Sequence, residues 1–290
     1  MMQKKYEEYP VATLEEYGYK DHLILKRVIS ISFRIISILT IVMLYLSIII
    51  IAIQSVNSSS NLAAFQSFTF EHYAGIFKNE DLMNVIGNTF QVSLIATAVA
   101  TILGTFIAIG INSLPQKSRQ AIILINNIPL LNADIVTGIS LMLVFSGIKF
   151  FFPYIFGFPT LLLAHLFFTL PYVILSVLPK LKEVDPNLMD AAADLGIKPF
   201  KSLIKVVIPA IRAGIFSGML LAFTMSIDDF VISYFNSGNG FDNLSIWIYS
   251  SIGRRSLDPA VYAFSTLLTL MTLGVLLLVN LGQKKGKGKI

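Results

Sequence analysis

The stretch EVDPNLMDAAADLGIKPFKSLIKVVIP (residues 183–209) predicts a short capped helix, a glycine turn and a second short helix. Asp185 is a favourable N-cap residue, and Pro186 suits the first helical position, where its missing N–H costs nothing. Gly196 supplies the left-handed conformation that commonly ends a helix. We therefore expect the first helix over residues 186–195, about 15 Å long at 1.5 Å per residue.

The second half of this stretch leads into an apolar segment. Pro199 can begin the second helix, and Pro209 either ends it or kinks the chain where the apolar segment starts. Ala191, Ala192 and Ala193 leave the first helix thin on one side, so that another backbone can approach it closely. Many membrane proteins carry a capped amphipathic helix in a loop, so this local chemistry alone leaves the function open.

The composition of the whole chain is that of a membrane protein. Of its 290 residues, 55% are hydrophobic and 13% are charged, whereas soluble domains carry about 25% charged residues. One soluble core of this size cannot hide so much apolar surface, so lipid must be the solvent for much of the chain. The absence of cysteine excludes disulfides, thiol catalysis and cysteine-based metal sites.

Six apolar segments are long enough to cross about 30 Å of hydrocarbon, which takes about 20 helical residues. They lie at residues 28–53, 84–111, 121–145, 160–178, 212–235 and 259–281. The third is interrupted by Asn126, Asn127, Pro129, Asn132 and Asp134. We expect residues 1–27 to be a cytoplasmic segment, 28–83 the first span with an external loop, 84–281 the transmembrane core including loop 183–209, and 282–290 a basic cytoplasmic tail.

The cationic residues predict the orientation. Of the 22 Lys and Arg residues, 18 lie in the N-terminal segment, the loops after spans two and four, the adjoining helix ends and the tail. The positive-inside rule makes that side cytoplasmic. Six spans then place both termini in the cytoplasm, in a multi-pass protein of the cell (plasma) membrane, with the basic tail near anionic membrane lipid.

The spacing within residues 183–209 resembles that of permeases of type I ATP-binding-cassette (ABC) importers, which carry the pattern E-A-A-x3-G-x9-I-x-L-P before their penultimate helix. The matching positions are Asp190, Ala191, Ala192, Gly196, Val206, Ile208 and Pro209. Asp replaces Glu, Val replaces Ile and Ile replaces Leu, and each change keeps the charge or the apolar shape. The resemblance implies an all-α integral membrane fold with six transmembrane helices and the type I ABC importer permease architecture.

The same resemblance implies how the chain is powered. In that family the loop is a coupling helix that docks on an ATP-hydrolysing subunit, which assigns Asp190, Ala191, Ala192, Gly196 and Pro209 to coupling. The implied partners are ATP-binding-cassette ATPase subunits, a second permease subunit and an extracellular or periplasmic substrate-binding protein. The chain itself has no G-x4-G-K-[ST] phosphate loop and no H-E-x-x-H motif. We therefore expect a transport subunit rather than an enzyme, with no cofactor and no nucleic-acid partner.

Three carboxylates inside the predicted spans are candidates for a substrate pathway, because an ionised side chain at mid-membrane costs about 2.5–3.5 kcal/mol and needs a reason. Asp134 lies about 20 Å, and the pair Asp228–Asp229 about 24 Å, from the cytoplasmic ends of their spans at 1.5 Å per residue. Facing one cavity, they would attract a cation. The simpler alternatives are that Asp134 caps a half-helix and that the pair lies solvated at a frayed helix end. His165, in span four, is expected to be a hydrogen-bonded packing residue.

A narrower resemblance suggests the cation. The stretches SIDDFVISYFNSG (226–238), LSIWIYSSIGR (244–254) and NADIVTGISLMLVF (132–145) resemble polyamine permeases of the PotC type. This resemblance implies import of spermidine and putrescine by alternating access. Polyamines are flexible polycations, so the three carboxylates with Tyr234 nearby suit them by charge and by cation–π attraction. The alternatives are an ABC importer permease for another small solute such as a metal ion or thiamine, a secondary cation transporter, and, least favoured, a membrane-bound enzyme.

Overall fold

The computed structural model of the protein describes residues 12–59, 64–185, 187–238, 240–252 and 259–287. Its helices are α1 (Ala12–Ser55), α2 (Glu71–Lys78), α3 (Glu80–Ser113), α4 (Gln116–Asn126), α5 (Ile128–Leu131), α6 (Asp134–Lys149), α7 (Phe158–Glu183), α8 (Leu188–Asp194), α9 (Pro199–Ser202), α10 (Ile208–Ala210), α11 (Arg212–Ile227), α12 (Val231–Asn236), α13 (Leu244–Ile252) and α14 (Pro259–Lys287). A π-helical turn, Leu203–Val207, joins α9 to α10. These residues form two compact units, one within Met1–Tyr73 and Pro259–Ile290, the other within Ala74–Asp258.

All six apolar segments are mainly helical. Three helical stretches are each long and apolar enough to cross a membrane alone, namely Leu25–Ser55, Glu80–Ser113 and Phe158–Glu183. They contain the first, second and fourth predicted spans. The sixth lies in α14, whose stretch Pro259–Gly274 is a shorter apolar helix. The side chains of α1 are exposed through its most apolar part, which suits a helix surrounded by lipid.

The third and fifth spans are broken. The polar interruption predicted in the third span separates α4, α5 and α6, and α6 begins at Asp134. The fifth span, expected over residues 212–235, is divided into α11 and α12 by residues 228–230. The second break has a local cause, because the Asp229 carboxylate accepts hydrogen bonds from the first turn of α12.

In the first unit α1 packs against α14, and the loop that follows α1 is built around Asn57. This side chain is fully buried. Its Nδ2 donates to Gln54 Oε1 and to the Ala64 carbonyl, both at 2.9 Å. Its Oδ1 accepts from the backbone N–H groups of Ser59 and Gln66 at 3.2 and 3.1 Å. One amide thus organises the loop, since all of its hydrogen-bonding capacity is used within it.

In the second unit α3, α7 and α11 form a close-packed block. A Cβ atom at Gly104 of α3 would lie 2.8 Å from Val173 Cβ of α7, and one at Gly218 of α11 would lie 3.0 Å from Val173 Cα. A Cβ at Gly214 would lie 2.9 Å from the Ser176 carbonyl oxygen. Glycine at these positions lets the backbones approach, as small residues commonly do between transmembrane helices.

Two local predictions need correction. The helix expected over residues 186–195 begins at Leu188 and ends at Asp194; Pro186 lies outside the described residues. The Asp185 carboxylate accepts from Asn187, through its backbone N at 2.9 Å and its Nδ2 at 3.1 Å, so it forms a turn ahead of the helix. Helix α13 was not anticipated as a separate element; its first residue, Leu244, donates its N–H to Thr89 Oγ1 of α3 at 2.8 Å.

Candidate coupling surface and substrate pathway

In the loop between α7 and α11, helix α8 ends at a glycine turn, as the sequence predicts. Gly196 has a φ of +74°. Its N–H donates to the Ala193 carbonyl at 2.8 Å, and the N–H of Ile197 donates to the Ala192 carbonyl at 3.0 Å. This pair of bonds is the Schellman motif, which satisfies carbonyls at a helix end. The turn therefore ends α8 and satisfies two of its last carbonyls.

Helix α8 has an inner and an outer face. Ala192 is buried, and Met189 packs against the apolar core formed by α3, α7 and α11. The Ser202 hydroxyl of α9 donates to Met189 Sδ at 3.3 Å. Asp190 and Ala191 are exposed. Of the five residues predicted to couple, Ala192 is thus buried, while Asp190, Ala191, Gly196 and Pro209 lie on the surface.

Two large apolar side chains on this loop were not predicted as site residues. Leu195 is 80% exposed and Phe200 is 66% exposed, one on each side of the glycine turn. The available signal was their occurrence in a loop that the charge pattern places outside the membrane. Together with Asp190 and Ala191 they form what we call the coupling surface (Asp190, Ala191, Leu195, Gly196 and Phe200).

The loop is joined to the membrane core through a sharp bend. The helical stretch Pro199–Ala210 is bent by 73° from α11 at Ile211. Ile211 is fully buried and Val207 nearly so, whereas Pro209 is exposed. The predicted kink at Pro209 is therefore present, and the buried side chains on both sides of it fix the angle.

The three predicted pathway carboxylates line one cavity. Asp134 at the start of α6 and Asp228 and Asp229 at the α11–α12 break face a space of about 320 Å³, which we call the carboxylate cavity. Its other lining residues are Pro129, Leu130, Phe168, Tyr172, Met225, Phe230, Val231 and Ile232. The sequence placed the three carboxylates at similar depths in their spans, and in the structure they line the same cavity.

The three carboxylates differ in their surroundings. Asp229 caps α12, accepting from Ser233 N at 2.7 Å and from Ile232 N at 3.4 Å, and its side chain is 9% exposed. Asp228 and Asp134 are exposed to the cavity. Asp134 is the first residue of α6, where the helix dipole favours a negative charge. Asp229 is therefore partly structural, whereas the other two carboxylates are open to a ligand.

Aromatic side chains form part of the cavity wall, but Tyr234, the aromatic residue predicted from the sequence, is not one of them. Phe168 and Tyr172 come from α7, and Phe230 comes from the break itself. Tyr234 lines a separate pocket with Lys149 and Phe156. Its ring lies 5.6 Å from that of Phe230, so it adjoins the carboxylate cavity through Phe230. The rings of span four were missed because apolar aromatic residues in a span carry no sign of which face they occupy.

His165 is a hydrogen-bonded packing residue, as expected. The side chain is buried in α7. Nδ1 lies 2.6 Å from Ser226 Oγ of α11, and Nε2 lies 2.9 Å from Ser233 Oγ of α12. Nε2 is also 3.8 Å from Asp229 Oδ2. One imidazole thereby joins three helices behind the wall of the carboxylate cavity.

Comparisons with known proteins agree with this architecture. Residues 100–285 match the family described as binding-protein-dependent transport system inner membrane component. The spermidine/putrescine transport system permease protein PotC of Haemophilus influenzae is 32% identical over 244 residues, which cover 83% of this chain and 92% of that protein. The putrescine transport system permease protein PotI of Escherichia coli is 32% identical over 228 residues, which cover 78% of this chain and 81% of that protein.

Solved structures agree in fold. A chain of a bacterial ABC transporter involved in the import of the acidic polysaccharide alginate superposes with a TM-score of 0.64 at 15% identity, over 93% of this chain and 99% of that one. A second structure, of the bacterial alginate ABC transporter in complex with a pentasaccharide-bound periplasmic protein, has a TM-score of 0.61 at 14% identity, over 91% of this chain and 94% of that one. With its all-α membrane architecture, this chain belongs to the binding-protein-dependent transport system inner membrane components and has the fold of type I ABC importer permeases.

Proposed function

We propose that this chain is one permease subunit of an ATP-driven importer that carries polyamines such as spermidine and putrescine inward by alternating access. The observation that carries the proposal is the carboxylate cavity, in which Asp134 and Asp228 are open to a ligand beside Phe168, Tyr172 and Phe230. The relatives that bear polyamine transport names support it over most of the chain.

The chemistry of the cavity suits a flexible organic cation. Carboxylates on two different elements attract successive ammonium groups of one chain, and the aromatic rings attract cations through their faces. A metal ion is less well served, because no group of three or more His, Cys, Asp or Glu side chains among the described residues could hold one. The separated carboxylates and the aromatic rings of the cavity therefore favour a long, positively charged molecule such as a polyamine.

The proposed energy source is a pair of ABC ATPase subunits bound at the coupling surface. Its exposed apolar side chains, Leu195 and Phe200, lie beside the charge of Asp190. Because Met189 packs α8 against the apolar core of the bundle, a displacement of the loop is transmitted to α11 through the bend at Ile211. Closure of the ATPase pair would open the pathway outward, and ATP hydrolysis would return it inward.

The remaining partners follow from the same proposal. A second permease subunit completes the pathway, and an extracellular or periplasmic binding protein delivers the polyamine. Both termini lie in the cytoplasm, because the cationic side of the chain faces inward.

Uptake of radiolabelled spermidine in cells that lack the gene tests the proposal. Restoring the gene should restore uptake, whereas a gene with Asp134→Asn and Asp228→Asn should restore little of it. Asp242→Asn removes one exposed carboxylate that does not line the cavity and should behave as wild type. Normal spermidine uptake without the gene would refute polyamine as the cargo.

A further inference from the structure

The side-chain amide of Asn243 joins the α11–α12 break to the start of α13. Asn243 is 3% exposed, and it directly precedes Leu244, the first residue of α13. Its Oδ1 accepts from the Ile246 N–H at 2.9 Å, and its Nδ2 donates to the Asp229 carbonyl at 3.0 Å. An N–H group can bond only to the amide oxygen and a carbonyl only to the amide nitrogen, so these two contacts fix the orientation of the amide. One side chain therefore caps α13 and also bonds the backbone of the break.

The bond to the Asp229 carbonyl replaces one that would carry the helix through the break. In a continuous α-helix the Ser233 N–H would donate to the carbonyl of Asp229, four residues earlier. Here that carbonyl accepts from Asn243, and the Ser233 N–H donates to Asp229 Oδ2 at 2.7 Å. Both groups of the replaced helical bond thus have another partner, and the partner of the carbonyl comes from outside the fifth span.

The start of α13 is itself anchored to α3. The Leu244 N–H donates to Thr89 Oγ1 at 2.8 Å, and Asn88 Nδ2 donates to the Asp242 carbonyl at 3.0 Å. Thr89 is buried and belongs to α3, which is part of the close-packed block with α7 and α11. The amide thus holds the break from a fixed point, since the residues before and after it are both bonded to α3.

We propose that Asn243 is a positioning residue for transport, which keeps the α11–α12 break open and so directs Asp228 and Phe230 into the carboxylate cavity. These two residues flank Asp229 and line the cavity, so the backbone that the amide holds sets the direction of both side chains. Without the amide, the carbonyl would take the Ser233 N–H, because an unsatisfied polar group within a membrane is costly, and the break would close toward a continuous helix. The inference rests on the proposed function, since the cavity must carry the cargo for its lining to affect transport.

Two variants separate this role from a merely structural one. Serine is a favourable N-cap residue, so Asn243→Ser keeps a cap on α13, but its shorter side chain withdraws the donor from the Asp229 carbonyl. Thr89→Val removes the anchor of α13 on α3 at a comparably buried side chain, 4% exposed, and leaves both bonds of Asn243 in place. If Asn243 only stabilises the fold, the two variants should behave alike. If it positions the cavity lining, only Asn243→Ser should weaken cargo binding.

The first test measures spermidine uptake by the assembled importer at equal membrane abundance. Asn243→Ser should raise KM about fivefold, the change expected for loss of one hydrogen bond that holds the binding geometry. Thr89→Val should leave KM within about twofold of wild type. An equal rise of KM in the two variants, or an unchanged KM in Asn243→Ser, would overturn the proposal.

The second test does not depend on the cargo. The chain contains no cysteine, so the single thiol of Asp228→Cys reports how accessible the break is to a cationic methanethiosulfonate reagent, added to the importer in nanodiscs and followed by the mass of this chain. Adding Asn243→Ser should slow the reaction about fivefold, and adding Thr89→Val should change its rate by less than about twofold. Equal rates with and without Asn243→Ser would contradict the positioning role. An importer that takes up no spermidine but shows the expected rates would refute the cargo assignment and leave the positioning of the break intact.

Discussion

At the residue scale, Asp228 and Asp229 are adjacent in sequence but have different surroundings. Asp229 accepts hydrogen bonds from Ile232 and Ser233 and is nearly buried, whereas Asp228 faces the cavity. The alternative considered from the sequence, that the pair lies solvated at a frayed helix end, does not describe Asp229, which is nearly buried and hydrogen-bonded; the pathway role of Asp228 stays a prediction. On the proposed function, Asp229 therefore contributes to stability and Asp228 to cargo binding.

This difference predicts two distinct alanine phenotypes. Asp229→Ala removes the cap of α12 and should lower the free energy of unfolding by about 1 kcal/mol, the usual cost of losing a cap. Asp228→Ala should leave that free energy within about 0.5 kcal/mol of wild type and still reduce uptake. Thermal unfolding in detergent beside spermidine uptake checks both, and equal stability of the two variants would contradict the assignment of the cap.

Among the residues that line the cavity, the charged ones could be predicted from the sequence. Asp134, Asp228 and Asp229 were identified because ionisable residues in lipid are costly, and their depths followed from helical rise. Phe168, Tyr172 and Phe230 were not identifiable, because aromatic residues are ordinary in apolar spans. Tyr234 was placed with the carboxylates, but the break at residues 228–230 directs α12 so that its ring lines the neighbouring pocket.

At the scale of elements, the glycine turn after α8 allows a controlled test of docking. Gly196 and Gly240 both have positive φ, +74° and +87°, and a Cβ at either would meet no atom within 4 Å. Gly196→Asp and Gly240→Asp therefore introduce the same charge and similar backbone strain, of order 1–2 kcal/mol, in different loops.

We expect Gly196→Asp to abolish uptake and Gly240→Asp to retain most of it, with both chains inserted in the membrane. The reason is that only Gly196 belongs to the coupling surface, where a new side chain blocks close approach of a partner. Uptake normalised to membrane abundance measures the effect. Equal losses in the two variants would mean that backbone strain, rather than docking, is responsible.

The exposed apolar pair of the coupling surface predicts the strength of attachment. Burying a Leu or Phe side chain stabilises a contact by about 1.5–3 kcal/mol. Leu195→Ser with Phe200→Ser should therefore reduce co-purification of the ATPase at least tenfold. Phe151→Ser, at an equally exposed position on the α6–α7 loop, is the matched control. Unchanged recovery of the ATPase from the double variant would exclude this surface as the docking site.

Most elements could be predicted because each carries its own local signal. The glycine and prolines of residues 183–209 determine α8, α9 and the bend, and the polar cluster from Asn126 to Asp134 determines the break in the third span. The α11–α12 break and α13 could not be predicted in the same way. At the first, the local hydrogen bond from Ser233 N to Asp229 is accompanied by a contact of His165 with Ser233, and the second begins with a hydrogen bond to Thr89. The contacts made by His165 and Thr89 join residues distant in sequence.

At the scale of the whole molecule, the proposed importer and a secondary transporter differ in their energy source. The importer should lose spermidine uptake when cellular ATP is depleted and keep it when ionophores collapse the ion gradients. An ATPase subunit and a binding protein should co-purify with the chain from its own membranes. Uptake that survives ATP depletion but stops with the ionophore would establish the secondary transporter instead.

The glycine contacts among α3, α7 and α11 have a mechanical consequence. Because the helices are in close contact at Gly104, Gly214 and Gly218, they cannot readily slide past one another. We therefore expect a displacement of the α7–α11 loop to rotate α3, α7 and α11 together as one rigid body. Spin labels on α3 and α11 should therefore keep one separation throughout the ATP cycle, while labels on α6 and α11 change theirs. The joint expected to move is then the helix break that carries the two aspartates, so the part proposed to bind the cargo is also the part expected to bend during transport.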